Sequence, residues 1–318
     1  MKTFETQEFK YDPSPYVPFR DKSVLERMRE IGPEDFENHP NSNLDITIMR
    51  DREMAFAHLC DIFFRIKEAM EADRQLVMIL PQPWPSYAKV AAMLNRAKVN
   101  CRKLHTFNMD EYADQDGNIA PESWPYGFTY ALKKYFYNEL DPSLRPPEKQ
   151  MIGLSNENID DYGQMISDLG GADICYAGPG WTGHIAFTEP ANDASPELPT
   201  DLETFKEWGP GIVTLSPFTL AQNSLHGSFG LSGDIAAVPP KAATIGPKQY
   251  LEAKEIHASY SITIQGTRSS WQRLTARLAL FGPVTPLVPD SLVQLRKSTV
   301  WVSENIARKI EVDWHAGY

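Results

Sequence analysis

The stretch CYAGPGWTGHIAFTEP, residues 175–190, joins a buried apolar segment to a loop that contains acid–base side chains. The segment 173–178 has the length and apolar character of a core strand. Glycines at 178, 180 and 183 follow, and they allow a backbone to approach a ligand closely. His184 can take and give a proton near neutral pH, and Glu189 is a candidate to orient it. The stretch predicts an acid–base loop after a strand. The alternative for a lone histidine is a structural ring held by a backbone carbonyl.

Strand and helix patterns alternate along most of the chain. Strands are predicted at 44–49, 75–80, 102–107, 173–178, 212–216, 260–265 and 298–303, the last of them closing the sheet. Helices are predicted at 52–71, 86–98, 127–139 and 158–169, and around Trp271, Leu274, Leu278 and Phe281. Such alternation is typical of an α/β fold with a mostly parallel sheet that is covered on both faces.

Composition limits the possible partners and location. The chain has 318 residues, a formal net charge of −11 and three cysteines without metal-ligand or disulfide spacing. An acidic surface argues against nucleic acid or an anionic membrane as the main partner. We expect a cytoplasmic protein, because the cysteines form no disulfide framework. The N-terminus also lacks an apolar signal core, and the aliphatic run at 76–80 is too short to span a bilayer.

The chain divides into two parts by pattern. Residues 1–44 are polar and proline-rich, and we interpret them as an N-terminal extension. Residues 45–318 are predicted to form a single α/β domain. Residues 192–211, rich in Pro, Glu and Asp, are predicted to be a mobile surface loop or lid.

A second loop with candidate chemistry follows the strand at 102–107. The sequence FNMDEY (107–112) places Asn108, Asp110 and Glu111 near a strand end. In open parallel sheets ligands bind beyond the carboxyl ends of strands, where strand order reverses. A partly desolvated carboxylate there can act as a base toward a carbon acid. The alternative is a solvated turn or a helix cap.

The two motifs FNMDEY and GHIAF.EP, in this order, resemble the glucosamine-6-phosphate deaminase/isomerase family, which shares a superfamily with 6-phosphogluconolactonase. The resemblance covers about residues 44–310 and implies a Rossmann-like three-layer α/β sandwich. It implies that Asp110 is the enolisation base, that His184 opens the sugar ring and that Glu189 orients His184. It also implies a small-molecule sugar ligand, no metal or organic cofactor, and a possible homo-oligomer.

The chain departs from the family pattern at two places. The family has Gly-Asn-Asp-Gly-His before its histidine, whereas this chain has Thr182 in place of the aspartate. The family's phosphate loop is replaced by PQPWP (81–85), and prolines lack the amide donors that such a loop uses. The family's arginine and lysine positions fall near Leu225 and Ser269. The predicted substrate-binding residues are Trp84, Gly178, Gly180, Trp181, Thr182 and Arg268, the two tryptophans by stacking on a sugar face.

The leading hypothesis is therefore an aldose–ketose isomerase or deaminase-like enzyme that acts on an amino sugar or sugar phosphate, and the departures above mean that the substrate need not carry a phosphate. One alternative is a sugar lactone hydrolase in which His184 activates water. The other is a sugar-binding protein without catalysis on the same scaffold. Thr182 weakens the hydrolase hypothesis, and the presence of both an acid–base histidine and a carboxylate base argues against a pure binder.

Overall fold

The computed structural model describes residues 7, 9–264 and 267–315. Its strands are β1 (Leu44–Met49), β2 (Leu76–Leu80), β3 (Leu104–Asn108), β4 (Asp110–Ala113), β5 (Met151–Ile152), β6 (Ile174–Ala177), β7 (Gly211–Thr214), β8 (Lys241–Thr244), β9 (Glu255–Tyr260) and β10 (Ser298–Ser303).

The helices begin and end as follows: α1 (Lys22–Glu30), α2 (Pro33–Glu37), α3 (Asp51–Glu71), α4 (Tyr87–Ala97), α5 (Phe128–Leu132), α6 (Tyr162–Asp168), α7 (Leu202–Lys206), α8 (Pro217–Ser224), α9 (Pro247–Glu252), α10 (Gln272–Phe281) and α11 (Glu304–Ala307). A π-helical segment, Lys133–Tyr137, continues α5 and completes the helix predicted at 127–139. None of the helices in the described part of the chain is both long and apolar enough to cross a membrane.

The central sheet has seven parallel strands in the order β1-β10-β9-β6-β2-β3-β5. Strand order reverses at β2 and β6, since β3 and β5 lie on one side and β9 and β10 on the other. Ligands in such sheets bind beyond the carboxyl ends at this point. The sheet confirms the predicted α/β fold, and the loop of His184 leaves β6 at the reversal.

Alternating side chains of the central strands form two separate cores. In β2, Val77 and Ile79 face the first core, while Met78 and Leu80 face the second. The second core lies against α3 and α4, and it includes Ile62 of α3 and Leu94 of α4. Because a strand presents alternate residues to opposite faces, the molecule has three layers.

A second, antiparallel sheet with the order β4-β8-β7 contradicts two predictions. The segment 212–216 was expected in the central sheet, but Gly211–Thr214 pairs with β8 instead. Asp110 was expected in a loop, but it is the first residue of β4 and lies opposite Thr244 of β8. Only Met109 separates β3 from β4, so the chain passes from one sheet to the other within a single residue.

Three further predictions are wrong in part. The strand predicted at 260–265 is Glu255–Tyr260, which ends where the prediction began; Gln265 lies outside the described residues. The strand at 298–303 is present but lies inside the sheet, between β1 and β9. Residues 192–211 are not simply a surface loop, because they contain α7 and bury Leu198 and Phe205.

The segment before β1 packs on the α/β layers. Asp21 caps α1 by accepting a hydrogen bond from the Val24 N–H, and Leu25 and Met28 of α1 join a cluster with Leu278 of α10. Arg277 of α10 is fully buried, and its guanidinium donates to the carbonyl of Ile31. Whether residues 1–44 form a separable unit stays a prediction.

Candidate active site

The carboxyl group of Asp110 is buried without a hydrogen-bond partner for one oxygen. Its side chain is 7% exposed, and Oδ1 has no partner among the described residues. Burial, and next the charge of Glu111, raise the pKa of Asp110 well above its usual value. A carboxyl held in this way is a stronger base when ionised than a solvated aspartate.

The neighbouring Glu111 has a structural position. Its fully buried carboxylate accepts hydrogen bonds from the N–H groups of Tyr112, Phe128 and Thr129, two of them in the first turn of α5. Burial raises the pKa of Glu111, although these N–H groups act in the opposite direction. Glu111 therefore anchors α5 beside Asp110, whose Oδ1 has no hydrogen-bond partner in the described part of the chain.

His184 belongs to a compact polar group after β6. Its side chain is buried, and Nδ1 lies 3.1 Å from the hydroxyl oxygens of both Thr182 and Thr219. The Thr182 hydroxyl also lies 3.1 Å from Oε2 of Glu189. The direct distance from Nδ1 to Oε2 of Glu189 is 3.7 Å, so Thr182 connects the ring to the carboxylate.

This arrangement sets the proton on the His184 ring. A hydroxyl has one proton, and when Thr182 donates it to Glu189, the Thr182 oxygen accepts a hydrogen bond from Nδ1–H. Nε2 of the neutral ring then carries a lone pair. A β-carbon at Gly180 would lie 2.0 Å from Nε2, so this nitrogen lies against the Gly180 backbone. The ring can accept a proton at Nε2 while Nδ1 stays fixed.

Glu189 is held as a carboxylate. Its side chain is fully buried, and Oε1 accepts a hydrogen bond from the backbone N–H of Ser216. Burial acts to raise its pKa, but the interactions with His184, Thr219 and the Ser216 N–H together lower it below the usual value. A buried anion beside Nδ1 stabilises the protonated ring that forms when Nε2 takes a proton.

Thr244 connects the Asp110 strand to the His184 loop. Thr244 lies opposite Asp110 in the second sheet, and its hydroxyl accepts a hydrogen bond from the N–H of Phe187 at 3.0 Å. The Phe187 and His184 rings have centroids 6.2 Å apart. Ala186 between them has φ 53°, a left-handed conformation that turns Phe187 toward Thr244. Thr244 therefore joins the strand of Asp110 to the loop of His184.

Relatives of the chain are glucosamine-6-phosphate deaminases. The enzyme of Aliivibrio salmonicida (strain LFI1238) is 30% identical over 248 residues, which are 75% of this chain and 81% of that protein. The enzyme of Haemophilus influenzae (strain 86-028NP) is 29% identical over 248 residues, 75% of this chain and 80% of that protein. The chain belongs to the glucosamine-6-phosphate deaminase family. No protein-family model matches it.

Solved structures confirm the fold of this family member. A monomeric glucosamine-6-phosphate deaminase has a TM-score of 0.63 at 20% identity, and the match covers 83% of this chain and 98% of that chain. A 6-phosphogluconolactonase from Thermotoga maritima has a TM-score of 0.54 at 16% identity, with 82% and 99% covered. At these identities both matches establish the fold alone.

Three of the predicted substrate-binding residues of this deaminase-family chain lie in the His184 loop. Gly180 leaves space for the His184 ring, and Thr182 hydrogen-bonds it as described. Trp181 is 44% exposed, and its backbone is held on both sides. Its N–H donates to Oε1 of Gln222, and its carbonyl accepts from the Thr275 hydroxyl.

The other three predicted residues have different surroundings. Trp84 packs on the second core, with its ring 5.0 Å from that of His58, whereas the His184 loop packs on the first core. A β-carbon at Gly178 would lie 2.8 Å from the Ser259 carbonyl, so this glycine allows close strand packing. Arg268 is 65% exposed and forms an ion pair with Asp313.

Helix α8 supplies site residues that the sequence analysis missed. Ser216 caps this helix, and Thr219 and Gln222, one turn apart, are both buried facing the His184 loop. Polar side chains in a helix usually indicate a face exposed to solvent. The sequence indicates that Thr219 and Gln222 share a face only through their three-residue spacing after the Ser-Pro start of the helix. His226 follows α8, and burial together with the nearby His184 lowers the pKa of His226 to about 4.

Among the described residues, no group of three or more His, Cys, Asp or Glu side chains is placed to hold a metal ion. The functional groups described above are a carboxyl, an imidazole with its carboxylate, and several hydroxyl groups.

Proposed function

We propose that this protein catalyses the aldose–ketose isomerisation of an amino sugar, with release of the amino group as ammonia. Family membership supports this reaction class, since the relatives above are glucosamine-6-phosphate deaminases. The observation that carries the proposal is the connection of two different acid–base groups through Thr244. One is the buried carboxyl of Asp110, whose Oδ1 has no partner among the described residues, and the other is His184 with its Thr182–Glu189 partners.

The first step is ring opening. Nε2 of His184 accepts the proton of the C1 hydroxyl and delivers a proton to the ring oxygen as the bond from C1 to that oxygen breaks. Nδ1 keeps its proton throughout, because it is hydrogen-bonded toward Thr182 and Thr219. The buried carboxylate of Glu189 stabilises the imidazolium between the two transfers.

The second step is a proton transfer between neighbouring carbons. The Asp110 carboxylate removes the proton from C2 of the open aldose, which leaves the enolate of an enolamine with its charge on O1, and returns that proton to C1. The resulting C2 iminium adds water, whose released proton neutralises O1, and the adduct loses ammonia to give the ketose. A base whose pKa is raised well above the usual aspartate value is suited to a carbon acid.

The substrate need not carry a phosphate. The loop after β2 consists of Pro81, Gln82, Pro83, Trp84 and Pro85, and Trp84 packs against His58 and Tyr87. Three prolines leave few amide donors for a phosphate. A cytoplasmic location, a homo-oligomer, and the lack of nucleic-acid or membrane partners stay predictions from the sequence.

Solvent-isotope exchange tests the proposal. The purified protein is incubated in D2O with glucosamine and with glucosamine 6-phosphate, and deuterium at C1 and C2 is measured together with ammonia. We expect exchange with at least one sugar, and its loss in Asp110→Asn but not in Asp45→Asn, which changes an exposed aspartate of β1. Acid release from a lactone panel that His184→Ala abolishes, without exchange into any sugar, would instead establish the lactonase alternative.

A further inference from the structure

A cleft of about 400 Å³ opens beside the His184 loop. We call it the tryptophan cleft, because Trp181 and Trp271 form its aromatic walls. Leu274 adds an aliphatic side chain to the lining. The two indole rings have centroids 6.1 Å apart and planes 22° apart. Trp271 is 8% exposed and Trp181 is 44% exposed, so one ring forms an inner wall and the other offers an open face.

Two of the residues that line the cleft carry donors without acceptors. Nε1 of Trp271 and Nε of Arg273 are buried, and neither has a hydrogen-bond partner within the described ranges. A buried donor without an acceptor costs free energy, which a ligand oxygen would recover on displacing the side chains that cover the donor. Ser269 adds a further hydroxyl at the cleft. An apolar face with nearby oxygen acceptors is the chemistry of a sugar ring, whose C–H groups pack on indole while its hydroxyls bind N–H groups.

The cleft begins one residue from the proposed reaction centre. Gly180 lies against Nε2 of His184, and Trp181 follows it directly. Hydrogen bonds to Gln222 and from Thr275 fix the backbone of Trp181 at this place. Gln272, next to Trp271, donates to the Pro179 carbonyl and so holds α10 against the same loop.

We propose that the tryptophan cleft binds a second sugar ring, joined through O6 to the ring on which His184 and Asp110 act. This inference rests on the proposed function. The ring oxygen that His184 serves is bonded to C5, and C5 carries C6. A group on O6 therefore emerges beside His184, where Trp181 begins the cleft. The substrate class is then a 1→6-linked reducing disaccharide, and the cleft takes the ring that does not react.

Calorimetric titration of the full chain with isomaltose, maltose and glucose tests the cleft. We expect isomaltose, which is 1→6-linked, to bind about tenfold more tightly than 1→4-linked maltose or glucose, as one added sugar–indole stack implies. Trp271→Phe keeps a ring but removes the N–H, and it should weaken isomaltose binding about fivefold. Trp181→Ala should remove the preference for isomaltose. The matched control Phe64→Ala changes a 52% exposed aromatic side chain on α3 and should leave isomaltose binding unchanged.

Equal affinities for isomaltose and maltose, or wild-type isomaltose binding in Trp271→Phe, would overturn the proposal. The proposal would also be overturned if Trp271→Phe weakened the binding of glucose 6-phosphate but not that of isomaltose. The cleft would then be a phosphate site. The exchange assay separates the two proposals. Exchange into glucosamine without an isomaltose preference contradicts the cleft alone, whereas an isomaltose preference without exchange into any sugar contradicts the proposed function alone.

Discussion

A β-carbon added to Gly180 would lie 2.0 Å from Nε2 and 2.2 Å from Cε1 of His184. No pair of non-bonded atoms tolerates such distances, so the imidazole has its present position only because residue 180 has no side chain. Oε1 of Gln222 would also be 2.7 Å away, which closes the direction in which the new methyl group could move.

Gly180→Ala should therefore displace the His184 ring and reduce activity by about 100-fold, as expected for a catalytic group misplaced by about 1 Å. The exchange rate at saturating sugar measures this. Gly209→Ala is the matched control, since a β-carbon there meets nothing within 4 Å. Full activity in Gly180→Ala would mean that His184 does not work from this position.

The Thr182 hydroxyl bridges His184 and Glu189, with 3.1 Å to Nδ1 of the ring and 3.1 Å to Oε2 of the carboxylate. Thr182→Val keeps the shape but removes the bridge, and it should slow ring opening about tenfold, the equivalent of one hydrogen bond. Thr182→Ser restores a hydroxyl and should restore most of the rate. Ring opening is measured by anomer exchange in NMR. Equal rates in the Val and Ser variants would show that the hydroxyl has no part in the reaction.

The ionised carboxyl of Asp110 should support activity but lower the stability of the folded protein at pH 7. Its pKa is raised in the folded protein, so its contribution to stability is present at low pH and is lost as the pH rises above the ordinary aspartate value. Asp110→Asn should thus raise the melting temperature at pH 7, while exchange falls between about 100-fold and 10,000-fold. A lower melting temperature in this variant at pH 7 would contradict the desolvated carboxylate.

The pH profile of the wild-type protein offers a second check on Asp110. Only the ionised carboxyl can remove the C2 proton. Exchange should therefore fall on acidification through a pKa clearly higher than that of an ordinary aspartate. A rate that is independent of pH down to about 4, the unperturbed aspartate value, would argue for another base.

The central sheet was predictable because its strands combine length with apolar character. The strands 44–49 and 298–303 have the predicted ends. Apolar and polar residues alternate in the segment 260–265, and this pattern predicts a strand there. The observed strand is Glu255–Tyr260, which contains His257. That histidine is buried against the rings of His58 and Trp301. Burial of a polar residue depends on partners distant in the chain, which local periodicity does not contain.

The second sheet and the helix behind the site were not predictable for a related reason. β4, β7 and β8 have four residues each, and no turn signal separates β3 from β4. Asp110, His184 and Glu189 were predicted from their motifs, whereas Thr219 and Gln222 were not predicted. Their role depends on α8 packing its polar face inward against the His184 loop.

Glu111 should be more important for stability than for chemistry. Glu111→Ala removes the acceptor for the N–H groups of Tyr112, Phe128 and Thr129 and leaves them buried, at a cost of about 3 kcal/mol in unfolding free energy. Urea unfolding measures this cost. Glu122→Ala, which removes one surface partner of Lys133, should cost less than about 1 kcal/mol. Similar costs in the two variants would contradict the anchoring role of Glu111.

Asp290 connects protein stability to pH directly behind the His184 loop. Its N–H donates to the Gly183 carbonyl, and its carboxyl accepts a hydrogen bond from the Tyr260 hydroxyl at 2.5 Å. Burial is the main cause that raises its pKa to about 7, although the hydroxyls of Tyr260 and Tyr250 act to lower it. A pKa raised on folding means that the proton stabilises the folded state. This contribution is complete below about pH 4, the unfolded value, and is lost as the pH rises to about 7.

Asp290→Asn stays neutral at every pH and keeps an oxygen for Tyr260. The difference in unfolding free energy between this variant and the wild type should therefore grow in favour of the variant from about pH 4 to about pH 7. It should reach a few kcal/mol, on the order expected from linkage. Urea unfolding at a series of pH values measures it, and other titrating groups cancel in the difference. Parallel stability curves for the two proteins would show that the Asp290 proton does not contribute.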